Sequence, residues 1–274
     1  MASFGQRIGK KPIREVMQTD DLDEATRVRL WNLIHPVTEN LRELTDRRGW
    51  TVMRDVWRSV LGRAVDEFSW PSCELQLKSR ILRDDWVEAM EAMEGFAKIL
   101  HDAVNERTAV EFRRRANLIF TEDLVGYRYI GSELAPVEDE QSANEVEAAI
   151  AAADDVARRH LQNAVSLLAD RHNPQYAKVA SEAILAVEAS VHALTGKKTL
   201  GDGVKELGKV GLPVHPAIVK AWGAMYGYAS DAGGMRHANI GGEEVDAAMA
   251  VYLLVTCSAF VNLLTKVAAA SSES

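Results

Sequence analysis

The chain has almost no cysteine. Cys73 and Cys257 are its only two among 274 residues, both sit in helix-like apolar surroundings, and no CxxC pair occurs. A disulfide framework and a cysteine-based zinc cluster are thereby excluded, and two isolated thiols fit a reducing cytoplasm. An excess of basic residues is missing too: 32 Lys and Arg stand against 40 Asp and Glu, a formal net charge of -8. Bulk electrostatics therefore cannot coat nucleic acid with this protein, although a local basic cleft is still allowed. Nor is there a basic arm or an acidic tail. Residues 1–139 hold 21 basic and 25 acidic side chains, and residues 140–274 hold 11 and 15, so each part carries -4.

Other absences narrow the chemistry. Period-2 strand patterns are nearly lacking. There is no GxxxxGK(S/T) loop, no GxGxxG after a strand, no HExxH and no GxSxG. No metal and no cofactor is expected. The opening Met1-Ala2-Ser3-Phe4-Gly5-Gln6-Arg7 lacks the apolar core of a secretory signal, which again points to the cytoplasm. One uncharged run is long, Ala247–Thr265, close to the lower length for a membrane span. It also carries Tyr252, Thr256, Cys257, Ser258, Asn262 and several alanines. A buried or dimer-facing helix is the better reading, and no membrane partner is expected.

What remains reads as helix punctuated by Pro and Gly. Asp21-Leu22-Asp23-Glu24 offers acidic N-cap chemistry before Val28, Leu30, Trp31, Leu33 and Ile34. His35-Pro36 is expected to interrupt or kink that helix. Thr51 to Val65 carries Val52, Val56, Trp57, Val60, Leu61 and Val65 on a helical face, and a loop is expected around Trp70-Pro71-Ser72 before Leu75–Leu82. Asp84 to Leu100 presents Trp86, Met90, Met93, Ala97 and Leu100, and Thr108 to Phe120 presents Phe112, Leu118 and Ile119. Tyr127 to Val137 differs: aromatic and β-branched residues flank Gly131-Ser132, the one hairpin signal. The polar stretch Glu138 to Asn144 reads as a linker.

Further on, Ala143 to Leu168 is a long alanine-rich helix with a weak point at Asp154-Asp155. Asn173-Pro174 opens a helix that stops at Gly196. Thr199 to Leu207 and Pro216 to Tyr226 follow, the latter from an N1-type proline. Glu243 to Val267 is the last, with acidic residues in its first turn and Lys266 in its last. The expected fold is mainly α: an N-terminal helical domain with one small hairpin, residues 1–139, then a helical bundle, residues 140–274.

Several residue groups could carry chemistry. Arg107, Arg113, Arg114 and Arg115 form the most basic run. They read either as a solvated face paired with Glu106 and Glu111, or as a phosphate-tracking groove. Gly201-Asp202-Gly203 reads as a turn. Glu188 and His192 are four apart and share a helical face, which suits a structural polar pair better than a metal site. His160, His172 and His215 fall near helix ends, where imidazoles cap. Most distinctive is Tyr226 to Ala238, where Gly233-Gly234 precedes Arg236-His237. Adjacent residues of a regular helix point about 100° apart, so a glycine-loosened loop is what would let this pair serve one site. Imidazole moves protons and guanidinium steadies phosphate charge. The plainer reading fastens the loop to acidic neighbours such as Asp231.

These residues also resemble a known family. Phe4 to Pro12 followed by Arg29-Leu30-Trp31-Asn32, and Gly126 to Ile130 with Leu134 to Val137 and Glu145 to Ile150, are similar to the N-terminal domain of AbiJ-like abortive-infection proteins of bacteria. Asn173 to Tyr176, Ser181 to Glu188, Thr195 to Gly201, Tyr226-Gly227-Tyr228, Gly233 to Ala238 and Cys257 to Asn262 resemble the HEPN-type helical domain that follows it. The resemblance implies an anti-phage protein. It further implies a metal-independent endoribonuclease whose site forms at a dimer interface, with Arg236 and His237 catalytic. Glu182, Glu188 and Asp231 would support them, and Arg113, Arg114, Arg115, Lys197 and Lys198 would contact RNA. In catalytic HEPN proteins the Arg and His are separated by several residues, whereas here they are adjacent. Other members are non-catalytic binding or dimerisation modules, so two readings stand: an RNA-cleaving effector, or a dimerising sensor. Dimer contacts are expected through Val251, Leu254, Val255, Phe260 and Leu264. A phage-derived trigger or a neighbouring defence protein would be a further partner.

Overall fold

The structure, a computed structural model, describes residues 16–44, 47–170, 172–212, 215–232 and 245–272, and their side chains except those of 228–232 and 271–272. The chain divides into two compact units, Met1–Glu140 and Gln141–Ser274. It is mainly α, with eleven α-helices and one two-stranded hairpin among the described residues.

In the first unit α1, Glu24–Glu43, starts where Asp23 accepts a hydrogen bond from the Thr26 N–H. Pro36 does not end it: the helix runs through, with Leu30, Trp31, Ile34, Thr38 and Leu41 all buried along one face. A proline removes one N–H and crowds the carbonyl four residues back. Burial on both sides of the site outweighs that local cost. α2, Arg48–Asp55, is shorter than its apolar spacing suggests. It passes into a wide turn, Val56–Val60, and stops before Gly62 at φ +62°, which leaves Val65 exposed. The buried Trp57 indole donates to the Ala64 carbonyl at 2.6 Å and fixes this exit.

α3, Trp70–Leu82, begins where a loop was expected. Ser69 caps it, and Pro71 sits in the first turn, where its missing N–H costs nothing. α4, Trp86–Ala103, and α5, Glu106–Glu122, complete the core. Phe112, Ala116 and Phe120 form the inner face of α5 and Leu118 points outward, because two residues beyond Ala116 is the opposite side of a helix. The centre of the unit is filled by Trp70, Phe96, Phe120, Met53, Met93, Leu30 and Ile34.

The hairpin pairs β1, Arg128–Ile130, with β2, Glu133–Ala135, through the turn Gly131-Ser132. Gly131 has φ +60°, the left-handed conformation such tight turns demand. The outer edge of β1 is closed by a side chain. Asn117 donates to the Tyr129 carbonyl at 3.1 Å and accepts from the Tyr129 N–H at 2.8 Å, so a buried asparagine on α5 stands in for a third strand. The guanidinium of the buried Arg128 donates to the carbonyls of Val125, Tyr127 and Glu138.

The second unit is a helical bundle. α6, Glu140–Ala152, and α7, Asp155–Ala169, are separated where Asp154 caps the N–H groups of Val156 and Ala157. α8, Tyr176–Thr195, ends at Gly196 with φ +67° and is central: α7, α9, α10 and α11 all pack on it. Its buried face is built of Val179, Ala180, Ala183, Ile184, Ala186, Val187 and Val191, small enough for close helix approach. α9 spans Leu200–Glu206, α10 Pro216–Ala232 and α11 Ala247–Ser272. α10 runs past Tyr226, the expected end. α11 starts at an Asp246 cap on the Met249 N–H, while Glu243 lies outside the described residues.

Among the described residues α11 is the one helix long and apolar enough to cross a membrane, over Ala247–Ala270. Here it is a bundle helix. Leu253, Leu254, Cys257, Val261 and Leu264 are buried, Phe260 stacks on Trp222 of α10 at 4.3 Å, and Asn262 donates to the Glu145 carboxylate at 2.8 Å.

Gly201-Asp202-Gly203 is not an isolated turn but the start of α9, capped by Thr199 accepting from the Asp202 N–H. Its two glycines differ. A Cβ on Gly203 would lie 2.3 Å from Val191 Cγ1, whereas one on Gly201 meets nothing within 4 Å. Gly203→Ala is expected to destabilise the protein by about 1–3 kcal/mol through forced separation of α8 and α9. Gly201→Ala is expected to be neutral or to stabilise by up to about 1 kcal/mol, because alanine is the better helix former. Denaturant midpoints of the two variants, compared side by side, check this.

Candidate functional site

Arg236 and His237 lie outside the described residues. Asp231 belongs to the last turn of α10, and the glycine pair and the Arg-His pair follow it in the sequence.

Of the two supporting carboxylates, Glu182 is engaged by a histidine that spacing could not assign to it. His160 sits inside α7, not at a helix end, and its Nδ1 lies 2.7 Å from Glu182 Oε2 on α8. Asn163, one turn along α7, approaches the same oxygen at 3.4 Å. Both partners of the His160–Glu182 pair are largely covered, with 28% and 24% of their side-chain surface exposed. A carboxylate on one ring nitrogen sets the tautomer and leaves the other nitrogen for proton exchange. No local motif signals this pair, because its members come from different helices. A half-apolar α7 face with a histidine on it was the only available hint.

Glu188 and His192 do not form the expected polar pair. His192 is exposed, and its Nδ1 lies 2.8 Å from the Lys197 carbonyl, so the ring closes the α8 C-terminus instead. The Glu188 carboxylate makes no hydrogen bond or ion pair with a described residue. His215 does cap: its Nδ1 accepts from the Ala217 N–H at the start of α10. Lys197 and Lys198 are exposed beside the Gly196 stop.

In the first unit Arg114 and Arg115 share one carboxylate. Arg114 forms a fork on Glu111 at 2.8 and 2.9 Å, and Arg115 Nε reaches the same group at 2.7 Å. Arg113 is half-buried on the same helix. The Arg114 hydrogen bond, followed by that of Arg115, lowers the Glu111 carboxyl to about 2. A value lowered below its ordinary range means the pairing is complete above that range and fades only as pH falls towards 2. At neutral pH this face is therefore partly neutralised by its own acid.

Three of the five positions expected to meet a second copy, Leu254, Phe260 and Leu264, are instead buried inside the unit, and Val251 and Val255 are half-buried. Helical phase explains it: α11 packs on α8, and its Phe260 stacks on Trp222 of α10. Its outward apolar positions are Met249, Tyr252 and Leu263.

The fold and these side chains define a two-unit helical protein with a hairpin in its first unit. Residues 2–152 match the family model described as AbiJ N-terminal domain 4, more than half of the chain. The protein belongs to this AbiJ family, an abortive-infection family of anti-phage defence. The match extends through α6, which packs with the second unit. No curated protein and no solved structure matches the chain.

Proposed function

We propose that this protein is a cytoplasmic abortive-infection effector whose second unit is a HEPN-type, metal-independent endoribonuclease acting as a homodimer. The observation that carries the reading is membership of the AbiJ family, joined to a helical second unit in which α10 leads into Gly233-Gly234 and Arg236-His237. The RNA 2′-oxygen attacks the adjacent phosphorus, the new P–O2′ bond forms, and the P–O5′ bond breaks. His237 takes the 2′-hydroxyl proton or returns one to the departing 5′-oxygen, and Arg236 stabilises the negative charge on the phosphorane. Pairing two copies brings two such half-sites together and supplies the local positive field that a chain of charge -8 lacks.

The outward stripe of α11, Met249, Tyr252 and Leu263 with Val251 and Val255 at its margin, is the dimer face in this reading. Exposed Lys197 and Lys198 are better placed to hold RNA phosphate than Arg114 and Arg115, which Glu111 already occupies. A phage component or a neighbouring defence protein supplies the trigger. Expression in bacteria tests the reading. The unsubstituted chain is expected to be toxic, with toxicity lost in Arg236→Ala and in His237→Ala. Equal harm from all three removes the pair from catalysis.

The adjacency of Arg236 and His237 favours a second reading, a non-catalytic dimerisation and sensor module. There α11 still pairs two copies, and the Arg-His pair only fastens its loop. A dimer that leaves RNA intact under every condition supports it.

A further inference from the structure

We propose that His35, Glu39 and Glu74 form a divalent-cation site in the first unit, of the class that takes Zn²⁺. One ring nitrogen of His35 and one oxygen from each carboxylate all lie within 4.8 Å of one another. His35 and Glu39 are four residues apart on α1, so their side chains rise from one face, one turn apart. Glu74 reaches them from α3, which packs on α1. Two ligands from one helix and a third from its neighbour make a chelate whose backbone is already held by the core.

The distances suit an ion. With metal–ligand bonds of about 2.1 Å and tetrahedral angles, neighbouring donor atoms stand about 3.4 Å apart. His35 Nδ1 and Glu74 Oε1 share a hydrogen bond at 3.0 Å, so the two donors already converge, and an ion would take the place of that proton. The third donor, from Glu39, lies within 4.8 Å of the other two on an exposed side chain. Around the donors the groups are fixed. Trp31 stacks on the His35 ring at 5.5 Å and 20°, which orients Nδ1 towards Glu74. Only 19% of the Glu74 side chain is exposed, so its rotamer freedom is already largely spent. Glu39 is exposed and makes no ion pair with a described residue.

The charge pattern supports the same assignment. Two carboxylates face one imidazole here. One cation near this face is Lys78, whose ammonium sits over the Trp31 ring at 5.6 Å. A dication would neutralise both acids. One imidazole with two carboxylates is a mixed nitrogen and oxygen set, which suits Zn²⁺ and Co²⁺ and leaves a fourth position to water. Mg²⁺ prefers an all-oxygen octahedron and is the weak competitor. Cys73, although next to Glu74, is not a ligand: it is buried, and its thiol donates to the Met53 carbonyl at 3.4 Å. Because the imidazole must be deprotonated to bind, acid is expected to release the ion.

Titration of the full chain with Zn²⁺, followed by isothermal calorimetry, tests the site. One strong equivalent is expected, with His35→Gln, Glu39→Gln and Glu74→Gln each weakening it at least ten-fold and Mg²⁺ giving no comparable heat. Co²⁺ is expected to produce a visible absorption band that His35→Gln abolishes. Glu39 lies on the surface, so Glu39→Gln keeps its fold and the comparison stands even where the other two variants are unstable. No binding by the unsubstituted chain, or unchanged affinity in Glu39→Gln, overturns the proposal. The site is independent of RNA cleavage in EDTA, so the two ideas fail separately.

Discussion

In EDTA, the purified 274-residue chain is expected to cleave single-stranded RNA, and His237→Ala is expected to slow that cleavage by about 10²–10⁴-fold. That is the usual contribution of a positioned general acid or base. Arg236→Ala is expected to cost about 10²–10³-fold, the scale for losing one donor aimed at developing transition-state charge. Arg236→Lys separates charge from shape. A lysine keeps the positive charge but loses the planar fork that grips two phosphate oxygens, so an intermediate rate is expected. The pH–rate profile adds a readout that misfolding does not imitate: the unsubstituted chain should show an imidazole limb, absent in His237→Ala. Time courses on end-labelled RNA, with cyclic phosphate termini identified in the products, measure all of these. Intact RNA with the unsubstituted chain rejects the nuclease in favour of the sensor module. Equal cleavage by His237→Ala transfers the proton work elsewhere, and His160 with its Glu182 partner is then the next residue to replace.

Local signals in the sequence announced much of the fold, and the failures share a cause. Asp23, Asp154, Thr199 and Gly196 mark helix ends through interactions with their immediate neighbours, and the structure uses each of them that way. Gly131-Ser132 marks the hairpin for the same reason, since a tight turn is a property of a few consecutive residues. Where distant packing decides, the local rules misjudged the outcome. Pro36 stays inside α1 because buried contacts on both sides hold the helix together. The face of α2 gives way at Val56–Val60, where the chain must turn to seat Trp57. Apolar spacing put Leu118 inward, but it faces out, while Asn117 beside it carries the buried polar work.

The candidate site divides along the same line. Arg236-His237 was legible as a motif because the two residues are adjacent and a glycine pair precedes them, yet the pair lies outside the described residues. His160–Glu182 and the His35, Glu39, Glu74 group are joined only by helix packing. The i to i+4 rule could suggest His35 with Glu39, but nothing local names Glu74 as the third member. The α11 surface shows the converse limit. A run without charge permits burial on every side, so periodicity alone could not say which leucines face α8 and which face out.

Arg128→Met is expected to destabilise the first unit by about 3 kcal/mol. The guanidinium is 2% exposed as a residue and donates at 2.5, 2.7 and 2.6 Å to the carbonyls of Val125, Tyr127 and Glu138. Those three carbonyls flank the hairpin on both sides, so one side chain ties its entry to its exit. Removing the donors leaves buried acceptors unpaired, at about 1–3 kcal/mol each. Methionine recovers part of this, because burial already disfavours the charge and lowers the Arg128 value, a cost that Glu140, Asp139 and Glu138 only partly offset. The recovered fraction is why the expected loss is nearer the bottom of the summed range than the top. Arg128→Lys keeps a charge but cannot span from Val125 to Glu138, since an ammonium is a point donor and not a fork. It is therefore expected to lose nearly as much. Tryptophan fluorescence isolates the effect: Trp31, Trp50, Trp57, Trp70 and Trp86 lie in the first unit and Trp222 alone in the second. A urea titration of each variant should move the fluorescence midpoint, which five of the six tryptophans report from the first unit, down. A loss below about 1 kcal/mol, the worth of one ordinary hydrogen bond, would mean that the three carbonyls find other partners and that Arg128 does not hold the hairpin.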